Sequence, residues 1–268
     1  MSSKYLFKAK TVRGYTTKAL SEVLQNILTD VCFTLDKNGI RLLTVDNMEP
    51  STLMVELDLK GNEFDEYYCP KPQSIGVNLQ HLYKMLKSIK KKDSVCLFIE
   101  KAKPAVLGIT TIQADTGQPV NSAIKIQKLS QIVASIPTGY GHPIHISTTT
   151  YQKTCKDMQN ISNVMIIRSR GRFMEFDCDM EGMYGRKVPF GDTEDAENKE
   201  LEEYSDTFYT KSLGRLMKVS GLNDRMRVYT PPIDNPMDVP LKISINTGRL
   251  GKLEIFIKSV AQINAPEI

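Results

Sequence analysis

Three of the five lysines between residues 79 and 92 are the first side chains in this sequence whose spacing suggests a chemical task. An α-helix turns by 100° per residue, so residues 79, 82, 86 and 89, all Leu or Ile, would share one face of it. On the opposite face lie Lys84, Lys87 and Lys91. A helix of this kind can hold ammonium groups toward phosphates, although a single lysine face is also typical of an ordinary solvated helix.

The same pattern recurs in the second half of the chain. Residues 82–87 align with 213–218, and two apolar strands around a glycine turn at 31–46 align with 164–179. Because the two series are about half of the 268 residues apart, the sequence predicts two copies of one domain. Each copy would contain two helices, and each helix would be followed by strands.

All four predicted helices carry basic residues opposite their apolar stripe, and this shared property favours phosphate contact over a chance solvated face. Aromatic residues do not interleave with the lysines, which argues against base stacking on single strands. Asn or Gln pairs aimed at base edges are also missing, so we expect phosphate contact without sequence reading. The residues predicted to make this contact are Lys18, Lys84, Lys87, Lys91, Lys153, Lys156, Lys211, Arg215 and Lys218.

The elements that must position these side chains follow from the periodicity of the apolar residues. Helices are predicted at 18–29, 79–92 and 149–160, and a fourth is predicted to contain 213–218. Alternation of apolar and polar residues predicts strands, and Asn38-Gly39 favours a hairpin turn between two of them. The predicted strands include 5–11, 31–35, 40–45, 53–59, 95–100, 105–112, 164–168 and 173–178.

The boundary between the two copies is predicted close to residue 140. Residues 114–122 are rich in turn-forming types and should lead into a connector, which the segment from Pro137 to Gly141 then ends. We therefore predict an N-terminal domain at 1–122, an interdomain connector at 123–140 and a C-terminal domain at 141–268. The fold class is α+β, with two helices packed on antiparallel sheets in each domain.

Composition limits the class of protein and its location. The net charge of +4 is modest, so a basic surface must come from local arrangement of charges. The five cysteines are far apart and form no CxxC pair, which is typical of reduced thiols. No apolar signal region or membrane-spanning run is present in the sequence, and we expect an intracellular, soluble protein.

Motifs for enzymatic chemistry are missing from the sequence. It contains no GxxxxGK[ST] phosphate loop, no HExxH and no GxSxG. His142 and His145 could form half of a metal site, but no Cys or acidic residue is near them in sequence. We therefore predict no catalytic residue, no metal and no cofactor.

The chain resembles the DNA sliding clamps of the proliferating cell nuclear antigen family over nearly its whole length. The most specific likeness is in the first half, where Gly76-Val77-Asn78-Leu79 precedes the helix with Lys84 and Lys87. The second half is similar at Tyr151-x-Lys153-x-x-Lys156-Asp157, Phe208-x-x-Lys211 and Asp238-Val239-Pro240-Leu241.

The resemblance implies a ring with topological rather than chemical action. Clamps of this family have two like domains per chain, and three chains close head to tail into a pseudo-sixfold ring whose helices line the hole. The ring encircles duplex DNA without sequence preference and acts as a processivity factor that holds a polymerase on it. By position, strand 105–112 of one subunit would pair with strand 183–190 of the next through open sheet edges.

Partner docking is the second implication of the resemblance. In the family, a short peptide motif of a DNA polymerase, clamp loader or repair protein enters an apolar pocket beside the interdomain connector. The corresponding positions are Val45, Ile136, Pro137, Pro240 and Phe256. Glu49 and Lys258-Ser259 depart from the residues that many members have at the pocket rim, and the 228–240 loop is longer than usual. These departures, with the positive net charge, suggest a diverged clamp, with a viral origin as one alternative, that acts in the nucleus or at a site of viral DNA replication.

Two other classes of function stay open at this stage. A clamp-fold interaction module, such as a checkpoint-type heterotrimer subunit or a clamp-like transcription factor, would share the fold without forming a homotrimeric ring. A β-rich nuclease or hydrolase with an unrecognised site is a third alternative. The mass in solution separates the first alternative from the clamp, because only a ring requires a stable trimer.

Overall fold

The chain folds as two compact units whose segments interleave in sequence. The structure is a computed structural model that describes residues 4–46, 51–132, 134–198, 200–232, 234 and 237–265. The first unit contains Met1–Thr44, Glu56–Val133 and Asn246–Leu253. The second contains Val45–Val55, Ala134–Ile245 and Glu254–Ile268. The predicted limits at 1–122, 123–140 and 141–268 treat each domain as one continuous segment. They therefore do not include the assignment of 45–55 to the second unit and of 246–253 to the first. The limits themselves stay a prediction.

Strands dominate both halves of the chain. Up to residue 125 the elements are β1 (Tyr5–Thr11), α1 (Gly14–Ile27), β2 (Asp30–Asp36), β3 (Gly39–Val45), β4 (Leu53–Lys60), β5 (Glu66–Tyr68), β6 (Gln73–Asn78), α2 (Leu79–Leu86), β7 (Ser94–Glu100), β8 (Val106–Ile112) and β9 (Pro119–Lys125). From residue 144 they are β10 (Ile144–Ser147), α3 (Thr148–Gln159), β11 (Val164–Arg170), β12 (Phe173–Met180), β13 (Tyr184–Gly191), β14 (Glu203–Tyr209), α4 (Thr210–Gly214), β15 (Arg225–Tyr229), β16 (Leu241–Asn246), β17 (Gly251–Ile257) and α5 (Val260–Asn264). None of the helices in the described ranges is long and apolar enough to cross a membrane.

The first unit places its core where helices α1 and α2 meet two sheets. One sheet has the strand order β5-β1-β7-β8-β9, and the other contains β6-β2-β3-β4. The apolar stripe predicted for α1 is confirmed, since Leu20, Val23, Leu24 and Ile27 are all buried. An apolar cavity of about 60 Å³ remains in this core. The predicted hairpin is also confirmed, with Asp36 opposite Gly39 across the turn.

The edge of the first sheet differs from the prediction. Strand β8 pairs with β7 on one side and with β9 along all seven residues on the other. It therefore has no open edge, and the expectation that 105–112 would pair with a neighbouring subunit is wrong. The edge strand is β9, where a turn and the start of the connector were predicted. Its seven residues include only one buried side chain, Ile124, so apolar alternation could not reveal the strand.

Helix α2 is shorter than the 14 residues predicted for it. It begins after Asn78, whose side-chain oxygen accepts a hydrogen bond from the backbone N–H of His81. It ends at Leu86, and a turn follows in which Asp93 accepts hydrogen bonds from the backbone N–H groups of Lys90 (2.8 Å) and Ala114 (3.0 Å). Ile89 is buried although it lies beyond the end of α2. The apolar spacing therefore predicted burial correctly but overestimated the length of the helix.

The second unit has a separate core that is built around aromatic rings. A four-stranded sheet has the order β13-β12-β11-β14, and β10, β15, β16 and β17 are hydrogen-bonded neighbours in that order. Tyr151 of α3 is fully buried, donates a hydrogen bond to the carbonyl of Leu213 (2.8 Å) and packs edge to face on Phe176. The inner stripe predicted for this helix, Tyr151, Cys155 and Met158, is confirmed.

The fourth helix is short, and the arginine that follows it is paired with a buried carboxylate. Helix α4 has five residues, and a 3₁₀ turn at Met217–Gly221 replaces the predicted continuation. Between them, Arg215 points its guanidinium at Asp46, with 2.5 Å between Nη1 and Oδ2. The Asp46 side chain is fully buried and that of Arg215 is 18% exposed. The prediction that Arg215 belongs to an outward basic face is therefore wrong.

Asp46 also fixes the polypeptide that follows it in the second unit. Its carboxylate accepts hydrogen bonds from the hydroxyl of Ser51 (2.7 Å) and from the backbone N–H groups of Thr52 (2.9 Å) and Leu53 (3.2 Å). Burial by itself would raise the pKa of Asp46, but these hydrogen bonds and the one from Arg215 outweigh burial, and the pKa is lowered. The carboxylate is thus charged at neutral pH and holds Ser51, Thr52 and Leu53 in place in the second unit.

Replacing Arg215 by Ala should destabilise the second unit, because it leaves a buried carboxylate without its cation. The expected loss in the free energy of unfolding is about 3 kcal/mol at neutral pH. Because the pKa of Asp46 is lowered on folding, this contribution is complete above the ordinary carboxyl pKa of 3.8 and is lost as the pH falls through the folded-state value. Urea denaturation of wild type and variant at several pH values measures it.

The matched control is Lys211→Ala, which removes an exposed cation from α4. A loss for Arg215→Ala no larger than that of the control would contradict the structural role of the pair.

Candidate nucleic-acid interface and partner pocket

The first unit presents lysines at the end of α2. Lys84 and Lys87 are three residues apart and exposed, while Leu79, Leu82 and Leu86 hold the helix in the core. Among the described residues, neither lysine has a carboxylate within 4.0 Å of its ammonium group. Lys91 is exposed too, but it lies in the turn beyond the helix, so the face predicted for it is wrong.

Lys18 is held more tightly than these lysines. Its ammonium group donates a hydrogen bond to the carbonyl of Ile89 (3.2 Å) and lies 5.6 Å from the centre of the Tyr15 ring. The side chain is half-buried and joins α1 to the turn after α2. Lys18 can therefore add positive potential, but it is less free to follow a moving phosphate than Lys84 or Lys87.

The second unit presents lysines on α3 and around α4. Lys153 and Lys156 are exposed on the side of α3 opposite its buried stripe. Asp157, next to them, is paired with Arg186. Lys211 of α4 and Lys218 of the following 3₁₀ turn are also exposed. Arg215 does not join this set, because its guanidinium is bound to Asp46.

The predicted partner-pocket residues all lie in the second unit. Ile136 is 43% exposed, and Val45, Pro137 and Pro240 are half-buried. Phe256, in contrast, is only 1% exposed, so its ring cannot offer a free surface in this conformation. Glu49, one of the rim positions that departs from the family, lies outside the described residues.

Tyr140 lies against Phe256. The two ring centres are 6.3 Å apart, and the Tyr140 hydroxyl donates a hydrogen bond to the carbonyl of Pro240 (2.7 Å). Tyr140 thus contacts both Pro240 and Phe256. The sequence had predicted only that the connector ends near this position.

Two further residues of this group escaped sequence reasoning. Tyr229 of β15 packs against Tyr140 with 6.0 Å between ring centres, and Lys242 of β16 lies against both rings. Tyr140 is far from Tyr229 and from Lys242 along the chain. No local periodicity signals such a contact, so only the folded structure could show it.

The histidines that were weighed as half of a metal site lie on either side of the start of β10. His142 precedes the strand, whereas His145 is exposed on it. Among the residues that the structure describes, no three His, Cys, Asp or Glu side chains are grouped so that they could hold a metal ion.

Comparisons with known proteins agree with this architecture. Residues 6–132 match the family model described as proliferating cell nuclear antigen, N-terminal domain. The chain is 24% identical over 262 residues to the probable DNA polymerase sliding clamp 1 of Paramecium bursaria Chlorella virus 1, covering 95% of this chain and 97% of that protein. Its fold is similar to the crystal structure of the proliferating cellular nuclear antigen from Entamoeba histolytica, with a TM-score of 0.80, 18% identity and coverage of 95% and 99% of the two chains. Residues 6–132 thus belong to the proliferating cell nuclear antigen family, and the similarity over nearly the whole chain to a viral sliding clamp supports a diverged sliding clamp of that family.

Proposed function

We propose that this clamp acts as a DNA polymerase processivity factor: three copies close into a ring around duplex DNA and tether partner proteins to it. The observation that carries the proposal is the set of exposed lysines on α2 and α3, each opposite a stripe of buried side chains. Family membership supports the same reading, as does the name of the viral relative. The chemistry is non-enzymatic, and the place of action is the nucleus or a site of viral DNA replication.

The proposed DNA contacts are weak by design. Exposed ammonium groups interact with phosphates through a high dielectric, so each contact is readily exchanged for the next as the ring slides. Such contacts carry no sequence information, because they do not reach base edges. The residues to which we assign them are Lys84, Lys87, Lys153, Lys156, Lys211 and Lys218, with Lys18 and Lys91 contributing charge nearby.

Ring closure is assigned to the edge strands β9 and β13. Each lies at the end of its sheet, and both expose apolar side chains: Val120 is 44% exposed, Tyr184 53%, and Met183, which directly precedes β13, 74%. An open edge with apolar side chains favours pairing with another chain. Pairing of β9 from one copy with β13 of the next is a head-to-tail contact, which gives a ring when its rotation closes.

Partner docking is assigned to the second unit. The residues that we assign to the binding of a short peptide are Val45, Ile136, Pro137, Pro240 and Tyr140. Ile136 is exposed, and Tyr140 lies against Phe256. Aromatic and aliphatic anchors of such peptides gain affinity by leaving water. A DNA polymerase, a clamp loader and repair proteins are the partners that this assignment implies.

Replacing Lys84, Lys87, Lys153 and Lys156 together by Ala should weaken association with closed circular DNA and flatten its salt dependence. For every phosphate that the variant no longer neutralises, the slope of log K against log salt should fall by about 0.9. The measurement is retention of the clamp on circular DNA over a series of salt concentrations. An unchanged affinity and slope would show that these helices do not face DNA.

A matched control removes the same charge from other places on the surface. Lys37, Lys71, Lys101 and Lys103 are exposed and lie outside the helices. Their joint replacement by Ala should leave the salt slope close to that of the wild type. A slope that falls equally in both variants would indicate a general effect of net charge.

The ring itself is tested by the mass in solution, which should be three times the 30.2 kDa of the chain. Ile126 donates its backbone N–H to Ala105, so strand alternation directs the N–H of Ala123 away from β8 and toward a neighbouring copy. Ala123→Pro removes that donor and should shift the trimer to smaller species. Ala123→Val keeps the donor and should remain trimeric.

Sedimentation velocity measures both variants, and circular dichroism checks that each is folded. A wild-type monomer would contradict the ring and favour the clamp-fold interaction module instead.

A further inference from the structure

A lysine of β16 is held between two aromatic rings in the second unit. The ammonium nitrogen of Lys242 is 4.2 Å from the centre of the Tyr229 ring and 4.4 Å from the centre of the Tyr140 ring. The faces of aromatic rings attract cations at distances up to about 6 Å. The positive charge of Lys242 therefore has a fixed position, unlike the charge of an exposed lysine.

This fixed charge borders the residues assigned to partner docking. The Tyr140 ring contacts both Lys242 and Phe256, and its hydroxyl donates a hydrogen bond to the carbonyl of Pro240. Lys242 follows Pro240 by two residues, and in an extended chain that spacing directs both side chains to the same side. A ligand that packs on Tyr140 and Pro240 would thus lie next to the ammonium group.

The ammonium group of Lys242 also forms no ion pair with a described residue of the second unit. Among the described residues, no carboxylate lies within 4.0 Å of the Lys242 ammonium. Glu254 is the acidic neighbour of this group: burial raises the pKa of Tyr140, and the charge of Glu254 raises it further. Glu254 itself is 8% exposed, so the cation that an incoming ligand meets at this place is Lys242.

We propose that Lys242 determines specificity by selecting partner peptides with an Asp or Glu side chain next to their apolar anchor. This inference rests on the proposed docking function of the second unit. Two rings already restrict the lysine, so forming an ion pair costs it less conformational freedom than it costs an exposed lysine. The rings also displace water, which strengthens the attraction between an ammonium and a carboxylate. An aromatic or basic side chain would not fit as well, because the ring faces are occupied by a cation.

The test uses an array of synthetic peptides with one fixed apolar and aromatic anchor. Each flanking position is Asp, Asn or Lys in turn, and every peptide is acetylated and amidated so that only side chains carry charge. Binding of the full-length clamp is then measured by fluorescence anisotropy. At one or two flanking positions, Asp should bind about tenfold more tightly than Asn, the ratio for 1.4 kcal/mol.

Variants of the clamp connect this preference to Lys242. Lys242→Met keeps an unbranched chain of similar length and should abolish the preference for Asp, whereas Lys242→Arg retains a cation and should preserve it. Lys103→Met removes an exposed charge from the first unit and should behave like the wild type. Urea denaturation checks that each variant has the same stability of the second unit.

The possible outcomes separate the two proposals. Peptides that bind with equal affinity whether they carry Asp or Asn would overturn the role of Lys242 and leave the docking function standing. A preference for Asp that survives in Lys242→Met would overturn it as well. Failure of every peptide to bind the wild type would overturn the docking function, and with it this inference.

Discussion

A buried carboxylate is the constraint on which the second unit depends. The side chain of Asp46 is fully buried and accepts hydrogen bonds from Ser51, Thr52 and Leu53. It also forms an ion pair with Arg215. Removing a charge from water is costly, and this cost is offset only when nearly every lone pair is satisfied. The arrangement therefore fixes where Ser51, Thr52 and Leu53 lie in the second unit relative to Arg215, which follows α4.

Basic residues have three distinct physical roles in this clamp. Lysines of α2 and α3 remain in water, where their attraction to phosphates is weak and sensitive to salt. Arg215 is bound to a buried carboxylate and stabilises the fold. Lys242 is held by aromatic rings, which keep its charge in place without neutralising it. The surroundings of each side chain, rather than its residue type, decide which of these roles it has.

Edge strands connect the fold of one chain to the proposed assembly. An edge strand that pairs with another copy of the chain has backbone N–H and C=O groups that are unpaired within its own chain. Such a strand buries few side chains within its own chain. Strand β9 has this character, with one buried side chain in seven, and Val120 exposed. Because most side chains of β9 are exposed, the strand is suited to a contact between copies. For the same reason its sequence lacks the apolar alternation that would predict a strand.

Much of the fold and part of the candidate site could be predicted from the sequence, because they depend on neighbours along the chain. The buried stripes of α1 and α3, the hairpin at Asp36–Gly39 and the exposure of Lys84 and Lys153 follow from local periodicity. Only the tertiary structure decided the exchange of 45–55 and 246–253 between units, the pairing of Arg215 with Asp46, and the place of Lys242 beside Tyr140. Each of these depends on contacts between residues far apart in sequence, and such contacts form only when the whole unit packs.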